Sequence, residues 1–372
     1  MFTTLIIFLL VLGFLVFVHE LGHFAAAKLF GVAVDEFAIG FPPRIVSRHH
    51  KGTDYSLNLI PLGGYVKIKG ESGEFAEEED SFSHKPIWQR MVIILAGVAM
   101  NFFAAFCLFS IGYSFGMPVA TSETSSFSRF ATVENPRIQV VEVLPDSPAQ
   151  AAGVKMGDII VSMDKQEITN ILQMQDYLDQ KKDASVSFNF QRGETQMEKN
   201  IVPVSRQETS RGGIGVALSG SAIVSYPFPV SLWEGAKRTA GVTLSILGAL
   251  GSIAYDFFGG RDVEVALAGP VGIAVITGEV TEMGWMYLLG FTALLSINLA
   301  IINLLPFPAL DGARALFLGI EKVRGRSLSR DWEGFIHTFG FGILMLLMVV
   351  VTYQDVIKYG GRIWTALISY FS

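Results

Sequence analysis

Four stretches of the chain stay apolar for about twenty residues or more: 2–30, 89–116, 284–305 and 335–353. Each offers the ~20 helical residues that cross ~30 Å of hydrocarbon. A fifth stretch, 231–257, is apolar on balance but opens with Glu234, Lys237 and Arg238. That pattern predicts an amphipathic helix lying along the membrane surface. Between the second and third stretches the pattern changes period. "RIQVVEVLPDSPAQAAGVKMGDIIVSMDKQEI" alternates apolar and polar residues around turn residues, as short strands do. "ITNILQMQDYLDQKK" has helical spacing through Ile168, Leu172, Gln175 and Leu178, with Thr169 or Asn170 as its cap. "ASVSFNFQRGETQMEKNIVPV" reads as a hairpin turning at Arg192-Gly193-Glu194. After the first apolar stretch, "DEFAIGFPPRIVSRHHKGTDYSLNLIPLGGYVKIKG" alternates like strands broken by glycine and proline turns. An irregular sheet at membrane depth is tolerated only where protein or water covers its backbone groups. The expected fold class is a polytopic α-helical membrane protein of about four spans, with a membrane-associated β-hairpin region and one inserted α+β domain. It divides as 1–116 (first membrane region), 117–220 (inserted domain), 221–283 (linker with the surface helix) and 284–372 (second membrane region).

Composition supports the membrane class. Of 372 residues, 51% are hydrophobic and only 17% charged, too apolar for an ordinary soluble chain of this length. The formal net charge of −6 gives no basic surface for nucleic acid. Cys107, the single cysteine, sits in an apolar run and reads as a small buried hydrophobe. The first eighteen residues carry no Lys or Arg and run on apolar past His19, which favours a retained transmembrane helix over a cleaved signal. Basic residues orient the spans. Arg314, Lys322, Arg324, Arg326 and Arg330 crowd one loop, and Arg44, Arg48, Lys51, Lys67, Lys69, Lys85 and Arg90 another. Both loops therefore belong on the cytoplasmic side, and the 117–283 segment and both termini outside.

The chemistry concentrates in "FLVFVHELGHFAAAKLF", residues 14–30. His19-Glu20-Leu21-Gly22-His23 fits H-E-x-x-H, which puts two imidazoles one turn apart on a helix face with a carboxylate beside them. Two imidazole nitrogens and one oxygen ligand suit Zn²⁺ and leave a fourth position for water. Glu20 is placed to accept a proton from that water. A chance pattern with hydrogen-bonded core histidines is the plainer alternative. An ionisable residue within a membrane helix costs on the order of 2.5–3.5 kcal/mol, which argues for function. The oxygen ligand should lie at similar depth, where acidic residues are few. Asp311 follows Pro306 and Pro308 at the end of the third apolar stretch, and those prolines break the helix there. Asp311-Gly312 also fits a turn that caps the next helix.

These pieces together resemble the site-2 protease family of intramembrane zinc metalloproteases. The resemblance rests on HELGH, on "GFPPRIVSRHHKGTDYSLNLIPLGGYVKIKGE", on "GVAMN", on "GPVGI" at 269–273 and on "NLLPFPALDG", in that order. It also rests on residues 122–218, which are similar to a PDZ domain, a module that captures extended peptides. Some relatives carry two such domains. The resemblance implies that His19, His23 and Asp311 bind Zn²⁺, that Glu20 is the catalytic acid/base, and that Asn303 handles substrate. "LDGAR" departs from the LDGGH common in relatives, so packing near Arg314 is expected to differ. The implied activity is cleavage, inside a bacterial inner membrane and near its cytoplasmic side, of single-span substrates. Anti-sigma-factor-like proteins already cut by a site-1 protease, and remnant signal peptides, are of that kind. The PDZ-like domain would stand in the periplasm as a size filter or dock. The rival functions are a PDZ membrane adaptor or chaperone that does not cut, and a metal transporter. Elsewhere, His49 and His50 are expected on a solvated surface, and His84 and His337 at interfaces. Gly97 and Asn101 read as helix-packing positions. "IPLGGYVKIKG" reads either as a strand that holds substrate extended or as a purely structural hairpin.

Overall fold

A computed structural model describes residues 2–71, 73–120, 128–168, 171–182, 184–205, 212–261, 268–326 and 329–371. The chain forms two compact units. One comprises Met1–Cys107, Lys237–Ile276 and Thr292–Ser372; the other comprises Leu108–Ala236 and Thr277–Phe291.

In the first unit, helix α1 (Phe2–Leu29) is built from the uninterrupted Leu, Ile, Val and Phe run. Gly31, at φ 65°, ends it, since only glycine takes that left-handed turn without strain. Strands β1 (Val34–His50) and β2 (Thr53–Ile68) then pair antiparallel. Lys51 and Gly52, at φ 47° and 77°, form the two-residue turn between them, as a hairpin with right-handed twist requires. The half of the hairpin near Val34 and Ile68 is buried with Ala27, Val32, Phe82, Ile93, Ile94 and Leu318. The half near the turn leaves Phe41, Ile45, Val46, Leu57, Leu59 and Ile60 exposed.

Helix α2 (Ile87–Phe115) leads into the second unit, whose sheet runs in the order β3, β8, β4, β5, β6, β7. These strands are β3 (Met117–Ala120), β4 (Thr132–Val143), β5 (Ile159–Met163), β6 (Val186–Arg192), β7 (Thr195–Ile201) and β8 (Val216–Ser225). Short α3 (Pro148–Ala151), capped by Ser147, and α4 (Ile171–Gln180) close over a core that includes Ile138, Val140, Ile160, Met163, Met174, Phe188 and Phe190. The alternating pattern thus gives strands where expected, and the β6–β7 hairpin turns at Arg192-Gly193-Glu194. The expected caps Thr169 and Asn170 lie outside the described residues.

Helices α5 (Val230–Phe258), α6 (Pro270–Met283), α7 (Trp285–Leu304), α8 (Asp311–Arg324) and α9 (Arg330–Phe371) complete the chain. Among the described residues, five helices are long and apolar enough to cross a membrane: Thr3–Leu29, Ile87–Phe115, Val230–Phe258, Trp285–Leu304 and Asp331–Gly361. Four such helices were expected to span. The further candidate is α5, whose early charges Glu234, Lys237 and Arg238, the reason it was expected along the surface, precede an apolar run that qualifies by length and composition.

Candidate metal centre

Helices α1 and α2 meet at two glycines. A Cβ on Gly22 would come within 2.7 Å of the Ala96 carbonyl carbon, so the two backbones approach as only a small residue allows. A Cβ on Gly97 would lie 2.8 Å from Cε1 of both His19 and His23. The helix repeat puts both imidazoles on this face of α1, and glycine at 97 leaves room for their rings.

Asp311 arrives from α8. Helix α7 stops at Leu304, before the prolines, and Gly312 packs so closely on the end of α7 that a Cβ there would be 2.5 Å from the Leu304 carbonyl carbon. Leu310, not Asp311, is the N-cap residue of α8. Asp311 is therefore free to turn toward α1 instead of capping its own helix. His19 Nε2 lies 3.1 Å from Asp311 Oδ2, His23 Nε2 lies 3.3 Å from it, and the two Nε2 atoms are 3.2 Å apart. Ligands ~2.0–2.2 Å from a tetrahedral zinc are separated by roughly 3.3 Å, so this near-equilateral triangle is the face such an ion requires. It is the one group of three or more His, Cys, Asp or Glu with this convergence among the described residues.

The hydrogen bonds around the triangle agree with a cation. His23 Nδ1 donates to the Ile93 carbonyl at 2.9 Å, which leaves its Nε2 a lone pair. His19 Nδ1 lies 3.1 Å from the Asn101 amide nitrogen, while Asn101 Oδ1 is buried without a partner. Turning that amide over, a change of assignment and not of shape, lets Oδ1 accept from Nδ1–H and frees His19 Nε2 as well. Asp311 Oδ2 is buried and has no hydrogen-bond donor among the described residues. With both imidazoles neutral in these tautomers, three acceptor atoms face one another, as a metal ion requires. Asn101 was expected to pack helices. Its tertiary position adds an orienting role, and Ser296 Oγ, donating to the Asn101 carbonyl at 2.8 Å, ties α7 to the same point.

Glu20 lies beside both histidines on α1. Gly64, the glycine of "GYV" in β2, brings that strand against the helix, where a Cβ would sit 3.5 Å from Glu20 Cγ. The hairpin therefore borders the carboxylate. Asn303 is half-buried on the last turn of α7, and no contact joins it to the triangle among the described residues. Arg314, the departure noted in "LDGAR", pairs with Glu71, and Arg90 Nη2 pairs with Glu321 Oε1 at 2.5 Å. These pairs border a cavity of about 460 Å³ that also takes in Glu333 and His337. His49 pairs with Asp54 on an exposed surface, and His84 hydrogen-bonds the Ala76 carbonyl. His337, expected at an interface, accepts a hydrogen bond from the loop ahead of Asp311.

A family model described as peptidase family M50 matches residues 7–347. The chain is similar to a zinc metalloprotease RasP of Geobacillus kaustophilus, 31% identical over 437 residues, covering 96% of this chain and 98% of that protein. It is likewise similar to a zinc metalloprotease RasP of Oceanobacillus iheyensis, 29% identical over 439 residues, covering 95% and 99%. Among solved structures, the PDZ domain of an SdrC-like protein from Listeria monocytogenes is 25% identical, covers 23% of this chain and 92% of that one, and has a TM-score of 0.22.

Proposed function

Since the chain belongs to peptidase family M50, by a match that runs from residue 7 to residue 347, we propose that this multi-pass membrane protein is an intramembrane zinc endopeptidase. The observation that carries the reading is the convergence of His19 Nε2, His23 Nε2 and Asp311 Oδ2 within 3.1–3.3 Å of one another, beside Glu20. His19, His23 and Asp311 hold the ion. Zinc, when bound, lowers the pKa of a water toward ~7 and polarises a peptide carbonyl. Glu20 takes the proton from the attacking water and returns it to the leaving amide nitrogen. The Ile93 carbonyl and Asn101 fix the two imidazoles, and Asn303 handles substrate.

The proposed substrates are single-span proteins of the anti-sigma-factor type, already shortened outside by a site-1 protease, and remnant signal peptides. Their cleavage takes place in a bacterial inner membrane, near its cytoplasmic side. The basic loops around 44–90 and 314–330 support that orientation. The PDZ-like insert then stands in the periplasm and excludes bulky ectodomains. An adaptor that binds without cutting leaves Glu20 and the triangle without a purpose. The test is cleavage of a single-span model substrate by purified protein in detergent. Glu20→Gln is expected to lower the rate by ~10²–10⁴-fold, the range of a lost general base, while keeping its zinc. Wild-type cleavage rates from E20Q would rule the proteolytic reading out.

A further inference from the structure

Asp311 is the first residue of α8, yet nothing on its own helix sets where it points, because the N-cap residue is Leu310 and makes no side-chain cap. The loop before it carries Ala309 at φ 78°, a backbone conformation that residues with a Cβ seldom adopt. Such a turn persists only where neighbours hold it. Helix α9 supplies two of them. Gly340 lies so close to Pro308 that a Cβ would come within 2.7 Å of the Pro308 carbonyl oxygen. The Ala309 N–H donates to His337 Nδ1 at 2.9 Å. A backbone N–H can only donate, so Nδ1 carries the lone pair and the ring proton sits on Nε2. The His337 ring is itself steadied edge-on against Phe317 of α8, with centroids 5.5 Å apart. One imidazole thus grips both the turn two residues before Asp311 and the helix that follows it.

We propose that His337 is a positioning residue for Asp311: through the Ala309 N–H it holds the left-handed turn that aims the Asp311 carboxylate at His19 and His23. This rests on the zinc reading above. It assigns to α9 a part in metal retention, although no residue of α9 belongs to the triangle.

The experiment measures zinc affinity of the full-length protein in detergent, by competition with a chromophoric chelator, for wild type, His337→Phe, His337→Asn and Asp311→Ala. H337F keeps an aromatic ring against Phe317 and loses the acceptor. H337N places its Oδ1 near the former Nδ1. H337F is expected to weaken zinc binding by about 10-fold or more, the cost of a lost orienting partner, and H337N to stay within about threefold of wild type. Unchanged affinity in H337F, or equal losses in H337F and H337N, overturns the proposal. If H337F is recovered poorly, His337→Gln, which moves the acceptor out toward the Nε2 position, replaces it with the same expectation. D311A separates the two levels. Zinc binding lost in D311A but kept in H337F removes only the positioning role, whereas equal binding by wild type and D311A removes the zinc site itself.

Discussion

Asp158, in the inserted domain, and Asp311, in the other unit, are carboxylates withdrawn from water and treated in opposite ways. Asp158 is 1% exposed. Arg192 Nε reaches its Oδ1 at 2.7 Å, and Arg192 Nη2 and the Lys155 N–H reach its Oδ2 at 2.8 and 2.9 Å. Every charge there is matched by a forked donor, which is how a buried ion becomes a structural part. Among the described residues Asp311 Oδ2 has no donor, and it faces two imidazole nitrogens that the surrounding hydrogen bonds leave as lone pairs. Completed pairing marks scaffold, and withheld pairing marks a place built for a cation.

The contrast can be broken from either side. Asp158→Ala leaves Arg192 without its carboxylate, though its Nη2 still donates to the Gly153 carbonyl, and is expected to destabilise the inserted domain by about 3 kcal/mol, in the range for breaking a buried pair. Denaturant unfolding should show that loss, while zinc per chain stays unchanged. A drop in zinc would mean that the two carboxylates are not independent. Gly97→Ala puts a methyl against both imidazole rings. Its expected cost is ~10–100-fold in zinc affinity, as for other disturbances of ligand orientation, with little change in the unfolding of the inserted domain. The smallest effect concerns Asp164, a second fully served carboxylate. The Tyr177 hydroxyl donates to it at 2.7 Å and the Ser187 N–H at 2.8 Å. The tyrosine hydrogen bond first, then the backbone one, hold its carboxyl below the ordinary range. A depressed folded-state pKa gives stability that is present at neutral pH and lost as pH falls through that lowered value. The melting temperature of wild type should therefore fall more steeply below about pH 4 than that of Asp164→Asn. Parallel acid profiles would show that Asp164 contributes nothing.

Much of the site was legible in the chain because its first half is local. His19, Glu20 and His23 share one helix, and a repeat of 3.6 residues is enough to put both imidazoles on one side. Asp311 needed a second argument, scarcity of acid at membrane depth together with two helix-breaking prolines, and the structure brings it to the histidines. What stayed hidden depends on how helices cross. Nothing in "LAGVAMN" shows that Gly97 makes room for the imidazoles or that Asn101 reaches His19, because both follow from the contact of Gly22 with Ala96. His337 is 26 residues beyond Asp311 in sequence, and only the path of α9 brings it to Ala309. Helix α5 was expected on the membrane surface because three charges cluster in its first turns, and the stretch after them, uncharged as far as Asp256, is by length and composition also apolar enough to cross.

The most direct test of the account counts zinc per chain by mass spectrometry, in wild type and Asp311→Ala purified side by side after brief exposure to a chelator. About one zinc is expected in the wild type and almost none in D311A, whose loss of a ligand exceeds the ~10–100-fold that a lost orienting partner costs. Equal, stoichiometric zinc in both proteins would contradict it, because Asp311 would then not close the triangle with His19 and His23.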